Sequence, residues 1–181
     1  EVMMPHVIGD FRNYTYNQTS WASVIANTEL FVAFGGVPLR NGQIGQGGVG
    51  RHIQRESILA AHGNGVEFIS ISPLKSDMDD GVQGQWLPIR PNTDTALILA
   101  LCFELLDKQL YDGNFLDRYT VGFDKFSEYL RGTHDGVAKT AEWAAAICDM
   151  RADDIRRLAE QMTTHRTMLS LSWSLTRQAH G

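Results

Sequence analysis

The chain has 181 residues, of which 43% are hydrophobic and 20% are charged, and its formal net charge at pH 7 is −5. This length and composition are typical of one ordinary globular domain. Because the negative charge is spread along the chain and no basic run occurs, the sequence argues against a protein that binds nucleic acid or acidic membranes. No apolar run approaches the roughly 20 residues that a membrane-spanning helix needs.

Three strands alternate with helical segments along the chain. Strands are predicted near 30–35, 66–72 and 167–172, and a helix is predicted over 52–61. Pro73 ends the second of these strands. The alternation predicts an α/β fold, in which a mainly parallel sheet carries helices on both faces in a Rossmann-like, three-layer arrangement.

The second half of the chain is mainly helical. Helices are predicted over 95–107, 112–120, 123–130, from Thr140 onward, and over 153–162. We expect residues 1–181 to form one α/β region with a small helical insertion at about 108–150.

The cysteines and histidines do not form a recognisable metal-binding pattern. Cys102 and Cys148 lie in apolar stretches and lack a paired Cys-x-x-Cys spacing, so we predict two buried free thiols. None of the six histidines has a spacing typical of a metal site. The sequence therefore predicts no metal ligand among these side chains.

Polar residues follow the predicted strands and precede the helix at 95–107. Arg40 and Lys75 come after strand ends, and Asn92-Thr93-Asp94 stands directly before the apolar helical run. Ligands of open α/β sheets bind outside the carboxyl ends of the strands, which predicts a nucleotide-binding rim with a diphosphate near the two basic residues. Asp94 has two readings, a helix cap or a carboxylate that accepts two hydrogens from the edge of a guanine.

A glycine-rich segment supports a different function. Gly45, Gly47 and Gly50 match the G-x-G-x-x-G fingerprint of a nicotinamide or flavin site, which indicates a nicotinamide-dependent dehydrogenase as an alternative. The fingerprint requires its first glycine at the end of a strand, whereas this strand ends near Phe34, so a turn-rich loop is the better interpretation. A non-catalytic nucleotide-binding module is a third alternative.

Several blocks of sequence occur in one order along nearly the whole chain. They are Met4-Pro5-His6-Val7-Ile8-Gly9, Gln18-Thr19-Ser20-Trp21, Pro38-Leu39-Arg40-Asn41, Ile71-Ser72-Pro73-Leu74-Lys75-Ser76-Asp77, Arg90-Pro91-Asn92-Thr93-Asp94-Thr95-Ala96-Leu97, Phe115-Leu116-Asp117-Arg118-Tyr119-Thr120-Val121-Gly122-Phe123-Asp124, Lys139-Thr140-Ala141-Glu142-Trp143-Ala144 and Trp173-Ser174. In these blocks the chain resembles the molybdopterin oxidoreductases of the dimethyl sulfoxide reductase family. The branch that it resembles most is that of the biotin sulfoxide and trimethylamine N-oxide reductases.

The resemblance implies a bacterial enzyme with a molybdenum centre and bis(molybdopterin guanine dinucleotide). Such an enzyme reduces an S-oxide or N-oxide by oxygen-atom transfer and takes its electrons from a donor protein or a reduced nucleotide. The cofactor contacts that it implies are Arg40, Asn41, Ile71, Ser72, Asn92, Thr93, Asp94, Trp173, Ser174 and Arg177.

The resemblance also has consequences for the extent of the protein. The serine that binds molybdenum in this branch is expected upstream of Glu1, so no catalytic or metal-binding residue is expected in this chain. The chain is then an internal segment of a multidomain catalytic subunit and is inactive alone. This sequence departs from the family pattern at Pro38-Leu39-Arg40-Asn41, where relatives often have Asn-Thr or Lys-Thr. The segment Gly45–Gly50 is not a family hallmark. Relatives occur in both periplasm and cytoplasm, so the resemblance assigns no compartment.

Overall fold

The structure is a computed structural model that describes residues 4–10, 19–43 and 51–171. In these residues the helices are α1 (Met4–Ile8), α2 (Trp21–Asn27), α3 (Gln54–Gly63), α4 (Asp94–Asp107), α5 (Gly113–Tyr119), α6 (Phe123–Leu130), α7 (Ala141–Cys148) and α8 (Ala152–Thr164). The strands are β1 (Leu30–Phe34), β2 (Glu67–Ile71), β3 (Gln85–Leu87) and β4 (Thr167–Leu171), and short 3₁₀ turns occupy Leu39–Gln43 and Lys75–Asp77. None of the described helices is both long enough and apolar enough to cross a membrane.

The four strands form one parallel sheet in the order β3-β2-β1-β4. Leu30 of β1 is in register with Glu67 of β2 and with Thr167 of β4, and Ile69 of β2 is in register with Gln85 of β3. Because all strands run in one direction, their carboxyl ends lie at the same edge of the sheet. The predicted α/β fold with a mainly parallel sheet is confirmed.

Side chains of the central strand β1 pack on both faces of the sheet. Leu30 and Val32 face a core formed with α4, α7 and α8. Phe31 and Ala33 face a second core formed with α2 and α3, in which Phe31 stacks on Phe68 of β2. Every β1 residue is buried, which explains why β1 is a continuous apolar run rather than an alternating one. The predicted three-layer arrangement is thereby confirmed.

Strand β3 was not predicted from the sequence, and the prediction that Cys102 is buried is wrong. Strand β3 has only three residues, which is too short to show an alternating pattern before Pro88. Cys148 is buried as predicted, but Cys102 is only partly buried because it lies on the side of α4 that faces α5 and α6. The predicted insertion at about 108–150 contains α5, α6 and α7, and α7 packs against α4.

Candidate functional site

The candidate site lies at the edge of the sheet where β1, β2 and β3 end. The loop after β1 carries Arg40 and Asn41, and the loop after β2 begins with Ser72. The loop after β3 leads to the start of α4 at Asp94. The fold therefore brings the three predicted groups to one edge, as expected for a ligand site in an open α/β sheet.

One carboxylate links the loops that follow β1 and β2. The hydroxyl of Ser72 donates to Oδ2 of Asp77 at 2.5 Å, and Nη2 of Arg40 donates to Oδ1 of the same residue at 2.7 Å. Asp77 is only 5% exposed and Ser72 is fully buried. A buried carboxylate with two donors is a well-satisfied charge, so this pair of bonds fixes Ser72 and Arg40 relative to each other.

The backbone reinforces the same link. The amide of Val37 donates to the carbonyl of Asp77 at 2.7 Å. Gly36 has a positive φ of 70°, and a Cβ at this position would lie 2.6 Å from both Cβ and the carbonyl oxygen of Asp77. The close approach of the two loops therefore requires glycine at position 36.

The other predicted residues of these loops are placed differently. The side chain of Ile71 is fully buried in the core, and its carbonyl accepts from the amide of Gly35 at 2.8 Å. Asn41 is exposed in the 3₁₀ turn at Leu39–Gln43. Ile71 can therefore offer a ligand only its backbone, whereas Asn41 can offer its side-chain amide.

Trp86 of β3 connects this part of the site to the third loop. Its indole Nε1 donates to the carbonyl of Ser72 at 2.8 Å, and the amide of Ser72 donates to the carbonyl of Leu87 at 3.3 Å. The end of β2 is therefore held from both sides, by β3 and by Asp77.

The third predicted group, Asn92-Thr93-Asp94, forms the start of α4. Asn92 has a positive φ of 66°, and its buried Oδ1 has no hydrogen-bond partner among the described residues. Thr93 is the N-cap residue but makes no side-chain cap bond, because its hydroxyl donates to the carbonyl of Arg90 at 2.6 Å. An orphaned acceptor thus lies beside the first residue of the helix, Asp94.

Asp94 is the first helical residue and not the cap, so its reading as a helix cap is wrong. Its side chain is partly buried and makes no ion pair with any described residue. Burial raises the pKa of Asp94, because the ionised form loses hydration that no described cation replaces. A ligand that donated hydrogen bonds to this carboxylate would compensate for the lost hydration.

The remaining predicted residues are not structurally placed. Trp173, Ser174 and Arg177, together with Gly45, Gly47 and Gly50, lie outside the described residues. Within residues 4–10, 19–43 and 51–171, no three His, Cys, Asp or Glu side chains lie close enough together to hold a metal ion.

A second concave feature lies elsewhere in the molecule. A cleft of about 380 Å³ opens between α4, α5 and α6, and its lining includes Tyr111, Phe123 and Phe126. None of the predicted site residues lines this cleft. Its lining is almost entirely apolar, so it lacks the polar groups that would bind a nucleotide.

Sequence reasoning assigned no role to Asp77 or Trp86. Asp77 lies in one of the blocks that carry the family resemblance and Trp86 lies in none, and their partners are distant in sequence. The signal that would have indicated Asp77 is an aspartate five residues after the serine that follows a strand, since its carboxylate can accept from that serine hydroxyl.

Comparison with known proteins reveals relatives that match the whole chain. It is 40% identical over 180 residues to the biotin sulfoxide reductase of Cereibacter sphaeroides, with 99% of this chain and 24% of that protein covered. It is 38% identical over 181 residues to the dimethyl sulfoxide/trimethylamine N-oxide reductase of the same organism, with 100% of this chain and 22% of that protein covered. It is 37% identical over 186 residues to the trimethylamine-N-oxide reductase of Haemophilus influenzae, with 100% of this chain and 22% of that protein covered. The resemblance predicted from the sequence is confirmed, and the chain spans about a quarter or less of the length of these relatives.

A solved structure supports the fold. The acetylene hydratase of Pelobacter acetylenicus matches with a TM-score of 0.61 and 22% identity, over 84% of this chain and 19% of that chain. At this identity the match concerns the fold alone. No family model matches the chain.

Proposed function

We propose that this chain, a homologue of sulfoxide and N-oxide reductases along its whole length, is an internal segment of the catalytic subunit of such a reductase. In this proposal residues 1–181 form one cofactor-binding α/β region with a helical insertion at about 108–150. The full-length protein reduces an S-oxide or an N-oxide with electrons from a donor protein or a reduced nucleotide. The observation that carries the proposal is the similarity to three reductases over 99–100% of the chain.

The residues at the start of α4 fit the guanine of a molybdopterin guanine dinucleotide. Asp94 is a partly buried carboxylate without a described cation, and Asn92 has a buried acceptor without a partner. The N1–H and the exocyclic amine of guanine are adjacent donors that a carboxylate accepts together. We therefore assign guanine recognition to Asp94, with Asn92 as a further acceptor and Thr93 as the residue that shapes the turn.

The loops after β1 and β2 fit the negatively charged part of the same cofactor. The Arg40 side chain is 61% exposed although one of its nitrogens is bound to Asp77, so the rest of the guanidinium faces outward. Lys75 is exposed on the neighbouring 3₁₀ turn. A guanidinium and an ammonium beside strand ends suit a diphosphate.

When bound, two molybdopterin guanine dinucleotides and their molybdenum would supply the redox chemistry. The S-oxide or N-oxide gives up its oxygen atom, and two electrons from the donor and two protons convert that atom to water. Arg40, Asn41, Asn92 and Asp94 would hold the nucleotide portion. Ser72, whose buried hydroxyl is bonded to Asp77, would support them from beneath. Trp173, Ser174 and Arg177 complete the proposed contacts. The serine ligand of the metal is proposed to lie in the part of the subunit that precedes Glu1.

The proposal is tested by metal and nucleotide analysis of the purified full-length protein. We expect about one molybdenum and two guanine nucleotides per subunit after acid release of the cofactor. We also expect reduction of dimethyl sulfoxide, trimethylamine N-oxide or biotin sulfoxide with reduced viologen as donor. A protein without molybdenum that binds NAD tightly would instead support the dehydrogenase alternative. A protein that binds a guanine nucleotide but neither molybdenum nor oxide would support a non-catalytic module.

A further inference from the structure

We infer that Asp77 is a positioning residue, which acts on the bound guanine dinucleotide through Arg40. This inference rests on the proposed function. Asp77 is buried and faces the protein, so it does not itself contact a ligand outside the sheet edge. Its carboxylate instead receives Arg40 on one oxygen and Ser72 on the other. The exposed Arg40 and the buried Ser72 at the end of β2 are therefore held by one side chain.

The geometry assigns separate roles to the nitrogens of the Arg40 guanidinium. One nitrogen, Nη2, is engaged by Asp77 at 2.7 Å. The side chain is nevertheless more than half exposed, so its other donors remain directed toward solvent at the sheet edge. Because a guanidinium is planar and rigid, fixing one nitrogen restricts the direction of the remaining N–H groups. The ion pair thus orders a long side chain before the ligand arrives, which lowers the entropy lost on binding.

The alternative is that Asp77 only stabilises the fold by joining two loops. The two roles predict different results for Arg40→Lys. A lysine can still form an ion pair with Asp77, but its single ammonium would then have no rigid second donor to present to a diphosphate. A purely structural ion pair would tolerate this replacement, whereas a positioning role would not.

The chain offers a matched control in Asp79. Its side chain is 6% exposed and pairs with Nε of Arg55 at 2.8 Å, and one of its oxygens also accepts from the amide of Gly81. It therefore resembles Asp77 in burial and in having an arginine partner on another loop or helix. None of the proposed cofactor residues is bonded to Asp79, so Asp79→Asn tests for general loosening of this region.

The experiment measures binding of guanosine diphosphate to the cofactor-free full-length protein, together with the melting temperature of each variant. We expect Asp77→Asn and Arg40→Lys each to weaken binding about tenfold, which corresponds to about 1.4 kcal/mol. The Asp77→Asn/Arg40→Lys double variant should bind no more than about twofold more weakly than either single variant, because both changes remove the same ordered donor. Asp79→Asn should bind within about twofold of the wild type.

Several results would overturn the inference. One is wild-type affinity in Arg40→Lys, a variant of an exposed side chain that is expected to fold even if Asp77→Asn does not. Another is a lower melting temperature of Asp77→Asn with unchanged affinity, and a third is an additive loss in the double variant. If Asp79→Asn lost as much affinity as Asp77→Asn, the loss would be explained by general loosening of the loops and not by the bond between Asp77 and Arg40. If the wild-type protein contains no molybdenum and binds no guanosine diphosphate, the proposed function itself fails, which is a different result from all of these.

Discussion

The thiol of Cys148 donates to the carbonyl oxygen of Thr93 at 3.3 Å, although the two residues are 55 positions apart. The carbonyl of Cys148 also accepts from the amide of Arg90 at 2.9 Å. The carboxyl end of α7 is therefore hydrogen-bonded to both Arg90 and Thr93, the two ends of the turn that precedes Asp94. Through Cys148, the helical part of the chain supports the proposed guanine site.

The first prediction concerns the reactivity of this thiol. Burial raises the pKa of both Cys148 and Cys102, so both stay protonated and react slowly with iodoacetamide at neutral pH. Because Cys148 is buried and Cys102 is only partly buried, Cys102 should be alkylated first in the native full-length protein. Peptide mass spectrometry after timed labelling measures both rates, and denaturant should make them equal. Faster labelling of native Cys148 would contradict its burial against Thr93.

The second prediction concerns the pH dependence that Asp94 contributes. Its folded pKa is raised by burial, so the stability that it contributes is fully present below about pH 3.9, the ordinary pKa of Asp, and is lost as pH rises through the folded value. At neutral pH the ionised carboxylate is then a net cost to the fold. Asp94→Asn should raise the melting temperature of the cofactor-free full-length protein by about 1–2 °C at pH 7 and by less near pH 4.

The same variant should lose cofactor. Asn presents one donor where guanine requires two acceptors, and a charge-assisted hydrogen bond contributes about 1.5–3 kcal/mol, so retention should fall roughly tenfold to a hundredfold. Thr93→Ala is the milder comparison, at about 1 kcal/mol for a neutral hydroxyl. Molybdenum and guanine nucleotide content per folded protein is the measurement. Normal cofactor content in a folded Asp94→Asn protein would refute the guanine assignment.

Local sequence features were sufficient to predict most of the fold. The continuous apolar run of β1 is followed by Gly35, and β2 is followed closely by Pro73. Glycine and proline are unfavourable within a strand, so the sequence itself indicates where both strands end. The start of α4 was likewise indicated by the polar residues before its apolar run. Strand β3 was missed because its three residues are too few to show a strand pattern, and only the pairing with β2 defines it as a strand.

The candidate site was predictable only in part. Positions such as Arg40, Ser72 and Asp94 were indicated by their place after a strand or before a helix, together with the family resemblance. The role of Asp77 depends on a contact with Arg40 across 37 residues of sequence, and that of Cys148 depends on a contact with Thr93. Neither pair has a sequence spacing that reveals it, because the fold alone brings them together.

The third prediction concerns acid stability. The hydrogen bond from Arg55 lowers the pKa of Asp79 most, and the hydrogen bond from the amide of Gly81 lowers it further. The stability that Asp79 contributes is therefore present above about pH 3.9 and is lost as pH falls from there through the folded value. Asp79→Asn should lower the melting temperature at pH 7, and the difference from wild type should shrink below pH 4. A difference that stays constant with pH would mean that the ion pair with Arg55 does not contribute.

The last prediction concerns Lys139, whose side chain is only 3% exposed. Its Nζ donates to Oδ2 of Asp135 and to the carbonyl of Val137, both at 2.5 Å, and lies 4.5 Å from the centroid of the Tyr129 ring. These contacts close the loop between α6 and α7. Lys139→Met keeps the apolar stem but removes the charge, so it should destabilise this loop by about 1–3 kcal/mol.

Hydrogen exchange over residues 123–139 of the full-length protein measures this loss, since local opening of the loop exposes its amides. Arg157→Met is the control, because Arg157 is 51% exposed in its pair with Asp154 and should change stability by less than about 0.5 kcal/mol. Unchanged exchange in Lys139→Met would mean that the desolvation cost of the buried ammonium equals what its contacts contribute. Because α7 begins two residues after Lys139 and ends at Cys148, a loosened loop should also increase labelling of Cys148.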